Sequence, residues 1–234
     1  MISLPPAARL LEELIALPSV NPRFLPEGDP RAGEARVAEH LASLAGRAGL
    51  DVEIQPIAPS RSNVIARLTP AGKIRQRVML APHMDTVGQP NIDALLKPKR
   101  VGGRIVGRGA CDTKGCVTAM LLAACRVASG GRRPASTEIL FTGLIDEECD
   151  QLGSRHYAAH GDKADLAIVG EPTKLEVITA HKGDIWIQLT THGRAAHGST
   201  PHLGINAAHE AAKVIEVLLG EYTESLRKRT HPLL

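Results

Sequence analysis

Aromatic side chains are scarce in this chain: one Trp, two Tyr and two Phe make up 2% of its 234 residues. Proteins that bind single-stranded nucleic acid stack the bases on aromatic rings, so this composition disfavours that class of partner. The formal net charge is only +3, which provides no strongly basic surface for a phosphate backbone. We therefore predict no nucleic-acid partner.

Long apolar runs are also missing. The longest one, around residues 117–128, contains Thr118 and Arg126 and is too short to cross a bilayer. Residues 1–6 lack the basic region of a secretory signal, and two glutamates follow soon after at positions 12 and 13. We therefore predict neither a membrane partner nor a secretory leader.

Cysteines number four, and no two of them form a CxxC pair. A chain of this length does not need disulfides to fold, so we predict four reduced thiols and, from them, a cytoplasmic location. Cys111 and Cys149 lie beside acidic residues. An alternative is that these two are soft metal ligands.

Charged and imidazole side chains follow apolar, strand-like segments of the sequence. They are distributed as His83 and Asp85 after residues 78–81, Asp146, Glu147 and Glu148 after residues 139–145, and Glu171 after residues 166–169. Strands of this kind form parallel sheets, and ligands of open α/β sheets bind beyond the carboxyl ends of the strands. One imidazole and several carboxylates can therefore converge on one edge of the sheet, where they would suit divalent metals.

The periodicity of apolar residues predicts an α/β fold, a mostly parallel mixed sheet flanked by helices. Helices are expected at about residues 5–17, 32–48, 114–128, 151–160 and 205–219, and strands at about residues 51–57, 63–68, 78–81, 138–145, 165–169, 176–180 and 184–191. Near residue 183 the pattern changes to an alternating strand, a loop and a long helix. We predict a catalytic domain over residues 1–182 and the start of an α+β domain over residues 183–234.

Each acidic position has an ordinary structural explanation as well as a chemical one. The pair His83 and Asp85 could cap a loop, or Asp85 could orient a ligating His83. Asp112 lies in a glycine-rich loop directly before a helix, where it could be the N-cap or a bridging carboxylate.

The tract of three acids from Asp146 to Glu148 could be a solvated loop end. With a metal nearby, one glutamate could ligate and its neighbour could act as general base. Glu171, before a proline, could be an ordinary exposed glutamate, and His197 a solvated loop histidine or a group that stabilises an oxyanion.

Five short segments together resemble the M20 metallopeptidases, a family that includes acetylornithine deacetylase, succinyl-diaminopimelate desuccinylase, aminoacylase and glutamate carboxypeptidases. They occur in the family's order: Ala81-Pro82-His83-Met84-Asp85-Thr86-Val87, residues 107–115 around Asp112, Asp146-Glu147-Glu148, Val169-Gly170-Glu171-Pro172-Thr173, and residues 196–207 beginning Ala196-His197-Gly198. The resemblance implies a zinc-exopeptidase-like sheet domain followed by the start of a lid, or dimerisation, domain.

The resemblance also implies a role for each matching residue. His83 and Glu171 would bind one metal, Glu148 the other, and Asp112 both; Glu147 would be the general acid/base, Asp85 the partner that orients His83, and His197 a lid histidine that reaches the site of a neighbouring subunit. Two divalent ions are implied, most commonly zinc, with cobalt or manganese as alternatives. The implied reaction is hydrolysis of an amide bond in an N-acyl amino acid or small peptide, in a possible homodimer formed through the lid.

The chain departs from the family in length. Members continue past the lid and return to the first domain, where a late histidine completes the second metal site. Here the late histidines, His209 and His231, lack that context. We therefore expect a truncated or fragmentary member that binds one metal more firmly than two, with an inactive metal-binding homologue as the alternative function.

Overall fold

The computed structural model describes residues 5–131, 133–183 and 185–233, and the chain divides into two compact units, Met1–Lys174 and Leu175–Leu234. This division lies eight residues before the domain boundary predicted from the sequence, between residues 182 and 183. The predicted domain boundary stays a prediction. Within the described residues, no helix is long and apolar enough to span a bilayer.

The first unit is built from helices and strands that follow one another along the chain. They are α1 (Ala7–Ala16), α2 (Ala35–Arg47), β1 (Asp51–Ala58), β2 (Arg61–Leu68), β3 (Gln76–Pro82), α3 (Ile92–Leu95), β4 (Lys99–Val101), β5 (Arg104–Val106), α4 (Lys114–Ser129), β6 (Thr137–Gly143), α5 (Leu152–His160) and β7 (Leu166–Gly170). A 3-10 turn, Pro22–Phe24, follows α1, with the side chain of Asn21 accepting from the Arg23 N–H at its start. Most of these elements lie within a few residues of the predicted ones.

Five strands form one mixed sheet in the order β1-β2-β6-β3-β7, and β4 pairs with β5 in a separate hairpin. β1 and β2 run antiparallel to their neighbours, whereas β6, β3 and β7 are parallel to one another. The predicted α/β class is confirmed, and β1 forms one edge of the sheet. The strands that precede the acidic tracts are the parallel ones, so their carboxyl ends lie side by side.

Helices cover the two faces of this sheet unequally. On one face, buried residues of α1, α2 and α4 pack against Val64, Ala66 and Phe141 of the sheet. On the other face, a smaller cluster joins Ile65 to Tyr157 of α5. The side chains of β7, the edge strand beside β3, are largely exposed.

A buried lysine links α4 to the end of α1. The Lys114 side-chain nitrogen donates to the carbonyl oxygens of Leu14 at 2.8 Å and Leu17 at 2.7 Å, and burial lowers the pKa of Lys114 to about 7. Leu14 lies in the last turn of α1 and Leu17 is its C-cap, and apart from the Leu17 N–H that bonds Leu14, such terminal carbonyl oxygens lack partners within the helix. The lysine therefore fixes the start of α4, and with it the loop that carries Asp112.

The second unit contains a 3-10 turn, Pro201–Leu203, followed by α6 (Ala207–Val217), a π-helical turn at Leu218–Tyr222 and α7 (Thr223–Arg227). The predicted strands at residues 176–180 and 184–191 are not formed in the described residues; Asp184 lies outside them. Ile185 and Ile187 are mostly exposed. Alternation alone is insufficient, because a strand forms only where another strand satisfies its main-chain groups.

Candidate metal centre

The carboxyl ends of the three parallel strands bring distant residues together. In the paired register, Leu80 of β3 lies between Phe141 of β6 and Ile168 of β7. The pairing of β3 and β6 continues past the strands as a bridge between His83 and Leu144. The tract after β6 and Glu171 after β7 consequently flank His83, as the strand pattern predicts.

His83 is the centre of the cluster, with a side chain only 1% exposed. Its Nδ1 lies 3.0 Å from the main-chain oxygen of Asp85. Because a carbonyl oxygen only accepts, Nδ1 carries a proton, and Nε2 is left for the other groups of the site. Nε2 lies 3.0 Å from Asp112 Oδ1, 3.7 Å from Glu147 Oε2 and 3.8 Å from Glu171 Oε1.

The charges around His83 determine its protonation in the metal-free chain. Burial disfavours the imidazolium, but hydrogen bonds to Asp112 and Asp85 and the negative charge of Glu147 outweigh burial and raise the pKa of His83 to about 11. The histidine is therefore a cation that partly compensates the surrounding carboxylates.

Asp112 is held at the tip of the loop before α4. The N-cap residue of this helix is Thr113, so the interpretation of Asp112 as an N-cap is wrong. The Thr113 hydroxyl donates to the His83 carbonyl oxygen at 2.9 Å, which ties the loop to the end of β3. The Asp112–Thr113 peptide bond is cis. Gly109 has φ +74°, and a Cβ there would lie 2.8 Å from Thr86, so the loop requires glycine at this position.

The three consecutive acids after β6 do not share one environment. Asp146 is buried and points inward, with Oδ1 accepting from Arg61 at 2.9 Å. Its main chain has φ +66°, a left-handed conformation that non-glycine residues adopt at a cost. Glu147 and Glu148 point to the cluster instead, so only two of the three acids face His83. The interpretation of the whole tract as a solvated loop end is therefore wrong for Asp146.

Asp85 connects the histidine to the acidic tract. Its Oδ1 lies 3.4 Å from His83 Nδ1 and accepts from the Glu147 N–H at 3.0 Å, while Oδ2 accepts from the Glu148 N–H at 3.2 Å. Burial opposes ionisation, but the bonds from His83 and Asn21 outweigh it and hold the pKa of Asp85 below its usual value. Asp85 is therefore a buried carboxylate that fixes both an imidazole and two main-chain amides.

Two groups of side chains bring possible ligand atoms within 4.8 Å of one another. One contains His83, Glu147 and Glu148, and the other His83, Asp112 and Glu171. Burial raises the pKa of both Glu148 and Glu171 to about 7, helped by neighbouring carboxylates. Imidazole and carboxylate donors at this spacing, with more acids than one imidazolium can neutralise, fit divalent metal ions.

The remaining predicted residues are His197 and the cysteines. His197 is an exposed residue of the second unit, and its Nδ1 accepts from the Ser199 N–H at 3.2 Å. Its predicted role stays a prediction. The four cysteines are unpaired, and neither metal-ligand group among the described residues includes Cys111 or Cys149. The alternative of soft cysteine ligands is therefore not supported.

Three polar residues near the cluster, two buried and one largely buried, were not predicted from the sequence. Asn21 donates to Asp85 and Asp146, and Glu34 forms two hydrogen bonds with Arg61. In the sequence, Asn21-Pro22 is typical of a turn. Glu34 is typical of the start of a helix, and Arg61 is typical of the exposed end of a strand. The local sequence therefore contains no signal that marks any of the three as a partner of the cluster.

Comparison with known proteins agrees with this geometry. Residues 79–227 match the family model described as peptidase family M20/M25/M40. Acetylornithine deacetylase of Vibrio campbellii is 31% identical over 238 residues, covering 99% of this chain and 60% of that protein. A probable succinyl-diaminopimelate desuccinylase of Staphylococcus epidermidis is 29% identical, covering 92% of this chain and 51% of that protein.

Solved structures support the same fold. A tripeptidase from Staphylococcus aureus matches with a TM-score of 0.61 at 20% identity, covering 90% of this chain and 55% of that one. The chain spans between one half and three fifths of the length of these relatives. The family match extends over most of the chain and includes all four proposed ligands, His83, Asp112, Glu148 and Glu171. The resemblance noted in the sequence is thus confirmed, and the chain belongs to peptidase family M20/M25/M40.

Proposed function

We propose that the chain carries the metal centre of a hydrolase that cleaves amide bonds in N-acyl amino acids or small peptides. The observation that carries this proposal is the convergence on His83 of carboxylates from three other segments, Asp112, Glu147 and Glu171. The names of the relatives, a deacetylase, a desuccinylase and a tripeptidase, indicate the same class of substrate.

The residues fit two divalent ions, which we propose to be zinc, with cobalt or manganese as alternatives that accept the same donors. His83 and Glu171 would hold the first ion, Glu148 the second, and Asp112 both. When bound, such ions supply Lewis-acid polarisation of a carbonyl and lower the pKa of water. The sharing of His83 by both groups favours unequal sites, with one ion held more firmly than the other.

Glu147 is the proposed general base. Its carboxylate lies 3.7 Å from His83 Nε2, so it borders the cluster, and its main chain is fixed by Asp85. From this position it would take a proton from the attacking water and give it to the departing amine, a role worth about 10²–10⁴-fold in rate. Asp85 would keep Nε2 of His83 directed at the metal by binding Nδ1.

Two further proposals concern the second unit. His197 would stabilise the oxyanion of the tetrahedral intermediate, and the unit would form a lid through which the chain makes a homodimer. Support for both comes from the match of residues 79–227 to the family model, which includes most of this unit. The second candidate is an inactive homologue that only binds metal, favoured by the sharing of His83 between both groups of possible ligands, which leaves one imidazole for two sites.

One experiment separates these functions. The metal-free chain is loaded with zinc or cobalt and assayed on N-acetyl and N-succinyl amino acids and on dipeptides, beside Glu147→Gln and the exposed control Glu39→Gln. We expect hydrolysis by the unsubstituted chain and by Glu39→Gln, and a loss of about 10²-fold or more in Glu147→Gln with metal binding kept. Metal binding without hydrolysis of any substrate would instead identify the inactive homologue, and absence of metal binding would refute both.

A further inference from the structure

A largely buried polar network of Asn21, Glu34, Arg61 and Asp146 adjoins the proposed metal centre. No role in the proposed function has been given to these four residues. The Asn21 side chain is fully buried, and its Nδ2 donates to Asp85 Oδ2 at 2.8 Å and to Asp146 Oδ1 at 2.9 Å. Its Oδ1 accepts from the Arg23 N–H at 3.2 Å. Both N–H bonds and the carbonyl oxygen are therefore engaged, and the amide is fixed in one orientation.

The network also contains an ion pair between Arg61 and Glu34. Arg61 donates to the two oxygens of Glu34 at 2.8 and 2.6 Å, and its Nη2 lies 2.9 Å from Asp146 Oδ1. Glu34 Oε1 in turn accepts from the Asp146 N–H at 3.2 Å. Asp146 is consequently held through its side chain and its main chain, which is what a residue at φ +66° requires to persist.

Asn21 connects this ion pair to the metal centre. Through Asp146 it holds the first residue of the acidic tract, and through Asp85 it holds the carboxylate that binds the main-chain N–H groups of Glu147 and Glu148. Hydrogen bonds with Asn21 and Asp85 therefore hold three successive residues of the tract, 146–148.

We propose that Asn21 is a positioning residue of the metal centre, fixing Asp85 and the tract 146–148 so that Glu147 and Glu148 face His83; this inference rests on the proposed function of those residues. The chemistry of the position requires a neutral group with two N–H donors. An aspartate of the same shape would donate nothing and would place a third buried carboxylate beside Asp85 and Asp146.

The test compares Asn21→Asp and the smaller Asn21→Ser with a matched control, Asn63→Ser. Asn63 is equally buried and also supports this loop, accepting from the Ile145 N–H and donating to the Gly153 carbonyl oxygen, but no hydrogen bond joins it to Asp85. Cobalt binding is followed by its visible absorption, and exchange of the Glu147 and Glu148 amide hydrogens is followed in the metal-free chain. Both are measured below the melting temperature of every variant.

We expect the Asn21 variants to bind cobalt about 10–100-fold more weakly, with shifted absorption bands, as is typical when a group that orients ligands is lost. The two amides should exchange faster in these variants than in Asn63→Ser, which should keep the cobalt affinity and spectrum of the unsubstituted chain. Unchanged affinity and exchange in whichever Asn21 variant folds, or equal losses in Asn63→Ser, would overturn the positioning role. Failure of the unsubstituted chain to bind cobalt would refute the proposed function, and this role with it.

Discussion

Metal binding to this centre should release protons, and the number follows from the groups around His83. In the metal-free chain the pKa of His83 is about 11, and that of Glu148 and of Glu171 is about 7. A metal binds the deprotonated forms, so each proton present at the working pH must leave. At pH 7 we expect about two protons to be released: one from the imidazolium and about one in total from the two half-protonated carboxyls.

The count changes with pH in a defined way. Near pH 5 both carboxyls are protonated and about three protons leave, whereas near pH 9 only the imidazolium contributes and about one proton leaves. Because the logarithm of the affinity rises with pH by the number of protons released, zinc affinity should increase about ten-thousandfold between pH 6 and pH 8.

Calorimetric zinc titrations in buffers of different ionisation enthalpy measure this count directly. Glu171→Gln should lower it by about half a proton at pH 7, while the exposed Glu39→Gln should leave it unchanged. An affinity that is equal at pH 6 and pH 8 would refute the reasoning. Release of no proton at pH 9 would show that His83 is not an imidazolium in the metal-free chain.

Three further predictions concern stability. His83, Glu148 and Glu171 have pKa values above those of the unfolded chain, so their contribution to folding stability is largest below about pH 4.5 and is lost as the pH rises. Thermal unfolding of the metal-free chain should therefore shift to lower temperature from pH 5 to pH 7, and saturating zinc should remove the trend. A melting temperature that rises over this range would contradict the prediction. Gly153→Ala places a Cβ 2.5 Å from Asn63 Oδ1 and should destabilise the chain by about 2–4 kcal/mol in urea unfolding. Gly220→Ala has open space around it and lies in a helical turn, so it should be neutral or stabilising by up to about 1 kcal/mol; similar losses in both variants would contradict the steric reason. Lys114→Met should cost about 2 kcal/mol in the same assay, because two carbonyl oxygens at the end of α1 lose their buried donor, and a stabilised variant would refute this.

The fold of the first unit could be predicted because its signals are local. Apolar runs such as residues 78–81 and 139–143 are too regular to be loops, and the residues that end them are polar enough to mark the edge of the sheet. Parallel pairing of these strands then brings their ends together without further information. The same reasoning failed for residues 185–191, where alternation is clear but a partner strand is required, and pairing is a property of two segments.

Side-chain direction within the site was less accessible to sequence reasoning. Asp112 and Thr113 are adjacent and both are good N-cap residues, so their order in the loop does not reveal which one begins α4. The structure resolves the choice through long-range contacts, since Thr113 bonds the main chain of His83 and Asp112 the imidazole. The proposed role of Asp112 as a bridging ligand rests on the resemblance to a family, because local propensity does not indicate it.

The tract from Asp146 to Glu148 shows why the remaining part could not be read from the sequence. Three adjacent carboxylates repel one another, and a metal is one way to compensate them. Here the first carboxylate is turned inward and compensated by Arg61 and Asn21, residues 85 and 125 positions away, which leaves two acids for the cluster. The imidazolium of His83 offsets part of their charge in the metal-free chain. The metal-free chain therefore tolerates this concentration of acid because two cations, Arg61 and the imidazolium of His83, lie beside it.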